Sequence, residues 1–133
     1  MGQVTLKTIG HLRTDAVRVP KHWTDSDAVG TIVIDAEFAE GLTGITPGDT
    51  ITVIFLFHRS DPFTRDLLKQ HPRGDHTRPK RGVFALCSPR RPNPIGLSVV
   101  TVLSVTGREI AVRGIDMIDG TPILDIKPAF TVG

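Results

Sequence analysis

Short runs of alternating or β-branched residues, each cut off by turn chemistry, recur along this chain and leave little length for helices. They are Val4 to Ile9, Gly30 to Ile34, Thr50 to Phe57, Gly82 to Leu86, Leu97 to Val105, Glu109 to Ile115 and Pro122 to Ile126. Period-2 patterning over seven short runs predicts an all-β barrel or sandwich. Thr46-Pro47-Gly48-Asp49, Thr106-Gly107-Arg108 and Asp119-Gly120-Thr121-Pro122 supply the turns, and the second predicts a hairpin between the fifth and sixth runs. The third run ends wholly apolar, which predicts a strand covered on both faces at its far end, with His58 and Arg59 emerging from it.

With 133 residues, 39% of them hydrophobic, the chain suits one domain spanning 1–133 and is too short for a two-domain enzyme. The expectation is a small single-domain β-barrel of about seven strands, with one long polar loop carrying a short helical turn. The single cysteine, Cys87, excludes an internal disulfide, and it is expected to be a small buried residue rather than a nucleophile. Burial alone must hold the fold, so a homodimer would help it. No apolar stretch approaches a membrane span. Thr5, Lys7 and Thr8 interrupt the region where a signal peptide has its apolar core, so a cytoplasmic protein is expected. Dinucleotide and phosphate-binding glycine loops and zinc spacings are absent from the sequence, and no metal is expected.

Charge is unevenly distributed. From His58 to Pro92, nine Lys and Arg face three Asp, a balance of +6, whereas the remaining residues total −4. Such a block suggests an anionic partner, although a solvated loop has the same composition. Within it, Asp61-Pro62 offers a helix start, with Phe63, Leu67 and Leu68 as a short apolar face ending at Pro72. His71 to Arg81 has almost nothing apolar and reads as an exposed loop.

The densest chemistry follows. In Ser88-Pro89-Arg90-Arg91-Pro92-Asn93-Pro94-Ile95-Gly96, three prolines stiffen a connection between two strands. Arg91 and Asn93, set between them, become preorganised donors, and Arg91 is expected to serve a ligand rather than the fold. A stiff turn without a ligand would show the same prolines.

The stretches Ser88 to Ser98 and Gly114-Ile115-Asp116-Met117-Ile118-Asp119-Gly120-Thr121-Pro122-Ile123-Leu124-Asp125-Ile126-Lys127-Pro128 resemble the S-adenosylmethionine-dependent tRNA threonylcarbamoyladenosine N6-methyltransferase family. Ile9-Gly10 and Phe57-His58-Arg59 extend the likeness over nearly the whole chain. The resemblance implies a small β-barrel that forms a homodimer and binds S-adenosyl-L-methionine outside any Rossmann fold. It implies cofactor contacts from Pro20, Lys21, His22, His58, Arg59, Cys87, Leu97, Asp119, Gly120, Thr121 and Pro122. This chain departs from the family pattern at Lys21-His22, at Cys87, where arginine is frequent, and at Ala129, where tyrosine is frequent.

Under that resemblance, Leu97 and Ile95 would wall the adenine, and Asp119 would receive ribose hydroxyls or the ammonium group. Aligning nucleophile, methyl carbon and leaving sulfur can suffice for methyl transfer. The residues able to assist are His58, Arg91, Asn93 and Asp125, with Asp119 a further possible base. Each also has an ordinary reading: a strand-end histidine, a turn aspartate, an ion pair of Asp125 with Lys127. Arg65, Lys69, Arg73, Arg78, Lys80 and Arg81 become phosphate contacts for a tRNA anticodon arm. Trp23, Phe63 or an arginine plane would supply base stacking. Two rivals stand beside this reading: a methyltransferase for a small anionic metabolite, and a non-catalytic S-adenosylmethionine or RNA-binding module.

Overall fold

Alternation decides which side chains enter the core. In the computed structural model, which describes residues 2–16 and 26–129, strand β3 (Thr50–Leu56) turns Ile51, Val53 and Phe55 inward at 3% exposure or less. The same period runs through β1 (Gly10–Arg13), β6 (Ile95–Thr106) and β7 (Glu109–Arg113), while β2 (Val29–Ile34) ends buried on both faces and β8 (Pro122–Pro128) buries only Ile123. These six close into a barrel in the order β1-β2-β7-β6-β3-β8. Closure leaves no free sheet edge, and the interior is filled by Leu12, Ile32, Ile34, Val53, Val100, Val102, Ile110, Val112 and Ile123. Two further strands, β4 (Lys69–Gln70) and β5 (Arg81–Gly82), form a separate antiparallel ribbon.

The chain divides into two compact units. Residues 1–56 and 97–133 form the barrel unit, and 57–96 form the second. In sequence charge the barrel unit is −4 and the second +6.

The all-β barrel agrees with expectation, as does the hairpin, where Thr106 pairs with Glu109 and Gly107 takes a φ of +59°. Four local expectations are corrected. Val4 to Ile9 is not a strand: Val4 and Leu6 are 85% and 58% exposed, and pairing begins at Gly10. A Cβ at Gly10 would stand 2.2 Å from the Val33 carbonyl oxygen, so this approach admits only glycine. Alternation assigned faces in that segment but could not say where a partner begins. Gly82 to Leu86 contributes only Gly82 to the two-residue strand Arg81–Gly82 and then turns through a 3-10 helix at Val83–Ala85. The turn is a 3-10 helix at Arg65–Leu68 that starts after Thr64 rather than Asp61 and has no side-chain cap, because Phe63 and Leu67 are too little buried to hold a longer helix. Strand β3 keeps its alternation to the end, with Ile54 and Leu56 half-exposed, so it is not covered on both faces. Among the described residues, no helix is long and apolar enough to cross a membrane.

Candidate functional site

On the barrel unit, the Asp119 to Pro122 turn is clamped to the end of β1. Leu12 N–H donates to the Thr121 carbonyl at 2.9 Å, Gly120 N–H donates to the Leu12 carbonyl at 2.7 Å, and Asp119 Oδ1 accepts Thr14 N–H at 3.0 Å. Gly120 has φ +83°, open to glycine at no steric cost, and Thr121 is buried with its hydroxyl donating to the Ile118 carbonyl at 2.7 Å. Asp119 and Gly120 stay exposed at the rim, and Pro122 begins β8.

The loop leading to this turn is tied along its length. Gly114 and Ile115 both donate their N–H to the Ala28 carbonyl, and the Ser26 hydroxyl donates to the Ile115 carbonyl. Ser98, fully buried in β6, donates its hydroxyl to the Asp116 carboxylate. Sequence reasoning missed this pair, although a serine at an inward position of an apolar strand was the available signal. The residue before it, Leu97, points out of the barrel at 53% exposure, and Ile95 is 37% exposed. Asp125 pairs with Lys127 at 3.2 Å, as its spacing predicted. Asp125 lines one of two adjoining grooves of about 370 and 520 Å³ between residues 36–45 and β8, and neither groove touches Leu97 or the Asp119 to Pro122 turn.

In the 57–96 unit, Phe57 N–H donates to the Pro94 carbonyl at 2.7 Å, holding the two ends of the segment together. His58, Arg59 and Asn93 are exposed. Arg91 has a part in the loop that the sequence did not announce: its Nη1 donates to the carbonyls of Leu86 at 3.0 Å and Ser88 at 3.1 Å, so the guanidinium braces the proline loop. Cys87, between those carbonyls, is exposed rather than buried, because the brace turns the backbone oxygens inward and leaves the thiol outside. Pro20, Lys21, His22 and Trp23 lie outside the described residues.

Arg65, Lys69, Arg73, Arg78, Lys80 and Arg81 are all exposed. The ribbon places Lys69 opposite Gly82 and Gln70 opposite Arg81. Gln70 ties this area together, its amide donating at 2.7 Å to the carbonyls of Leu67 and Arg90. The Thr64 hydroxyl, and then its own backbone N–H, lower the Asp66 pKa, assisted by nearby Arg90 and Lys80. The Thr77 hydroxyl and N–H do the same for Asp75, at 2.6 and 2.9 Å. His71 Nδ1 lies 2.8 Å from the Arg78 carbonyl, and its ring is 4.3 Å from that of His76. The unit therefore has a hydrogen-bonded frame with these six cations on the outside.

A closed six-stranded barrel with Asp119 and Gly120 exposed at one turn, in a chain that also carries a cationic unit with a proline-stiffened loop, defines a class of small β-barrel proteins. The model of the tRNA-methyltransferase O N-terminal domain matches residues 13–132, and the chain belongs to that family. It is 48% identical over 92 residues to a protein of Methanocaldococcus jannaschii named a probable S-adenosyl-L-methionine-binding protein, covering 68% of this chain and 73% of that one. Over 87 residues it is 40% identical to the tRNA (adenine(37)-N6)-methyltransferase of Mus musculus, covering 65% of this chain and 20% of the mouse protein. The crystal structure of TrmO from Pseudomonas aeruginosa superposes with a TM-score of 0.75 at 30% identity, covering 98% of this chain. This chain spans 56% of that solved chain's length.

Proposed function

We propose that this protein is an S-adenosyl-L-methionine-dependent tRNA methyltransferase whose acceptor is the exocyclic nitrogen of threonylcarbamoyladenosine beside the anticodon. Family membership over residues 13–132 carries the reading. The names of the relatives from Methanocaldococcus jannaschii and Mus musculus support the cofactor and the reaction class respectively. The residues suit the cofactor. Leu97 offers exposed apolar surface for a purine, and Asp119 offers an anchored carboxylate for a ribose hydroxyl or an ammonium group. We assign the cofactor contacts to Leu97, Asp119, Gly120, Thr121 and Pro122 on the barrel unit. His58, Arg59 and Cys87 on the second unit, and the Pro20, Lys21, His22 stretch, complete the assignment.

When bound, the cofactor supplies an electrophilic methyl group on a sulfonium. The protein's part is orientation: clamped backbone and stiff loops fix the two reactants at little cost at the moment of reaction. A carbamoylated adenine nitrogen holds its proton less tightly than a plain one, and we assign its removal to His58, since Asp125 is paired with Lys127 and opens onto a groove away from Leu97 and the Asp119 turn. Arg65, Lys69, Arg73, Arg78, Lys80 and Arg81 hold anticodon-arm phosphates. The active form is a cytoplasmic homodimer of one methyltransferase domain.

Calorimetric titration with S-adenosyl-L-methionine, followed by transfer of tritiated methyl to tRNA lacking that methyl group, tests this. Saturable binding at about one site per chain and label in tRNA are expected. Label appearing only in a metabolite extract would move the acceptor to a small anion. Binding without transfer to either would leave a binding module, and no binding would remove the cofactor.

A further inference from the structure

Phe84 is 79% exposed in the unit that carries the positive charge. A single exposed apolar residue is ordinary on a protein surface. This one differs in how firmly it is presented and in what surrounds it. Val83, 1% exposed, anchors the 3-10 turn Val83–Ala85, which Leu86 N–H closes on the Val83 carbonyl at 3.2 Å. Arg91 then holds the Leu86 carbonyl from the other side. The ring is therefore displayed from a turn fixed on both flanks, with only its own two χ angles left to order.

Upstream, the turn continues directly from the ribbon. Arg81 lies opposite Gln70, whose amide also holds the Arg90 backbone, and Lys80 and Arg90 both approach Asp66 closely enough to lower its pKa. Gln70 and Asp66 thus gather Lys80, Arg81 and Arg90 at the ribbon, and Phe84 follows Arg81 by three residues. The other phenylalanines described in this unit, Phe57 and Phe63, are half-buried. An apolar partner would gain from the ring but not from the cations. A strand with charged phosphates and unpaired bases gains from both, because bases stack on aromatic faces while phosphates take the cations.

We propose that Phe84 is a stacking platform for an unpaired base of a bound RNA strand whose phosphates meet Lys80, Arg81 and Arg90. This rests on the tRNA reading above and replaces Phe63 as the aromatic contact. The test uses the full chain, a labelled anticodon stem-loop and a blunt RNA duplex of equal length. Phe84→Leu keeps apolar bulk without an aromatic face and should weaken stem-loop binding roughly tenfold. It should leave duplex binding, S-adenosyl-L-methionine affinity and the salt slope unchanged, and Phe84→Trp should restore the stem-loop affinity. Equal stem-loop binding by wild type and Phe84→Leu would overturn the proposal. So would loss of self-association by Phe84→Leu in sedimentation, with RNA binding falling only in step with it, because the ring would then belong to a contact between copies. If the wild-type protein binds neither RNA, the tRNA reading itself fails, and the platform fails with it.

Discussion

Arg91 is the residue whose chemistry the loop depends on. A guanidinium donating to two partly buried carbonyls replaces water that neither carbonyl can reach easily, and a charged donor makes each bond stronger than a neutral one. Arg91→Ala should therefore lower stability by about 1–2 kcal/mol. Both bonds leave the single nitrogen Nη1, so Arg91→Lys should recover much of this if its ammonium reaches the same two carbonyls. Urea-unfolding midpoints measure both, and an unchanged midpoint for the alanine variant would return Arg91 to the ligand. Cys87 yields a second expectation at this scale. Its exposed thiol should react with a disulfide reagent without denaturant, one equivalent per chain, and bound S-adenosyl-L-methionine should slow the reaction if Cys87 contacts the cofactor. The three prolines announced a stiff loop in the sequence. The partners of Arg91 were not legible, because carbonyls carry no sequence signature and the two bonds close over three and five residues of irregular chain.

Elements were legible where a strand has an inside and an outside. Strands β2, β3, β6, β7 and β8 lie within a few residues of their predicted positions, since burying one face of a barrel strand imposes period 2 directly. The two-residue strands β4 and β5 bury little and follow no pattern. The loop 114–121 is held by a contact that sequence alone did not pair, Ser98 with Asp116. Ser98→Ala would remove one buried hydrogen bond to the Asp116 carboxylate, and should cost about 1–2 kcal/mol. It should also weaken S-adenosyl-L-methionine binding if the Asp119 turn is a cofactor contact; thermal unfolding and calorimetry read the two effects separately. The loop 71–81 responds to pH through Asp75. Its folded pKa is lowered below 3.8, so the stabilising bonds from Thr77 are fully present above the unfolded value and are lost as pH falls through the folded one. The Thr77 amide resonance should shift with a midpoint below 3.8, and a midpoint at or above 3.8 would mean that the bonds do not favour the anion.

At the scale of the whole molecule, the charge of the chain is sorted between its two units, +6 on residues 57–96 and −4 on the remainder. The sequence alone displayed this asymmetry, because one contiguous segment forms the cationic unit. A net charge of only +2 would give weak, unselective attraction to RNA, whereas concentrating the cations on 40 residues gives one unit a strong local field. The acidic remainder opposes that attraction, which favours approach through the cationic unit. Each phosphate contact releases condensed counterions, so affinity for a single-stranded region should fall with salt by about 0.7 per contact on logarithmic axes. Replacing Arg78, Lys80 and Arg81 together by Ala should reduce that slope by about 2 if all three meet phosphates. S-adenosyl-L-methionine affinity should not change, since none of the three is among the proposed cofactor contacts. Asp66→Asn should act in the opposite direction, because it removes the anion beside Lys80 and Arg90, and should raise RNA affinity most at low salt. Binding isotherms at several salt concentrations for the wild type and both variants decide the matter. A slope unchanged by the triple substitution would place the RNA surface elsewhere, and a decrease in affinity for Asp66→Asn would show that Asp66 holds the ribbon in shape rather than neutralising it.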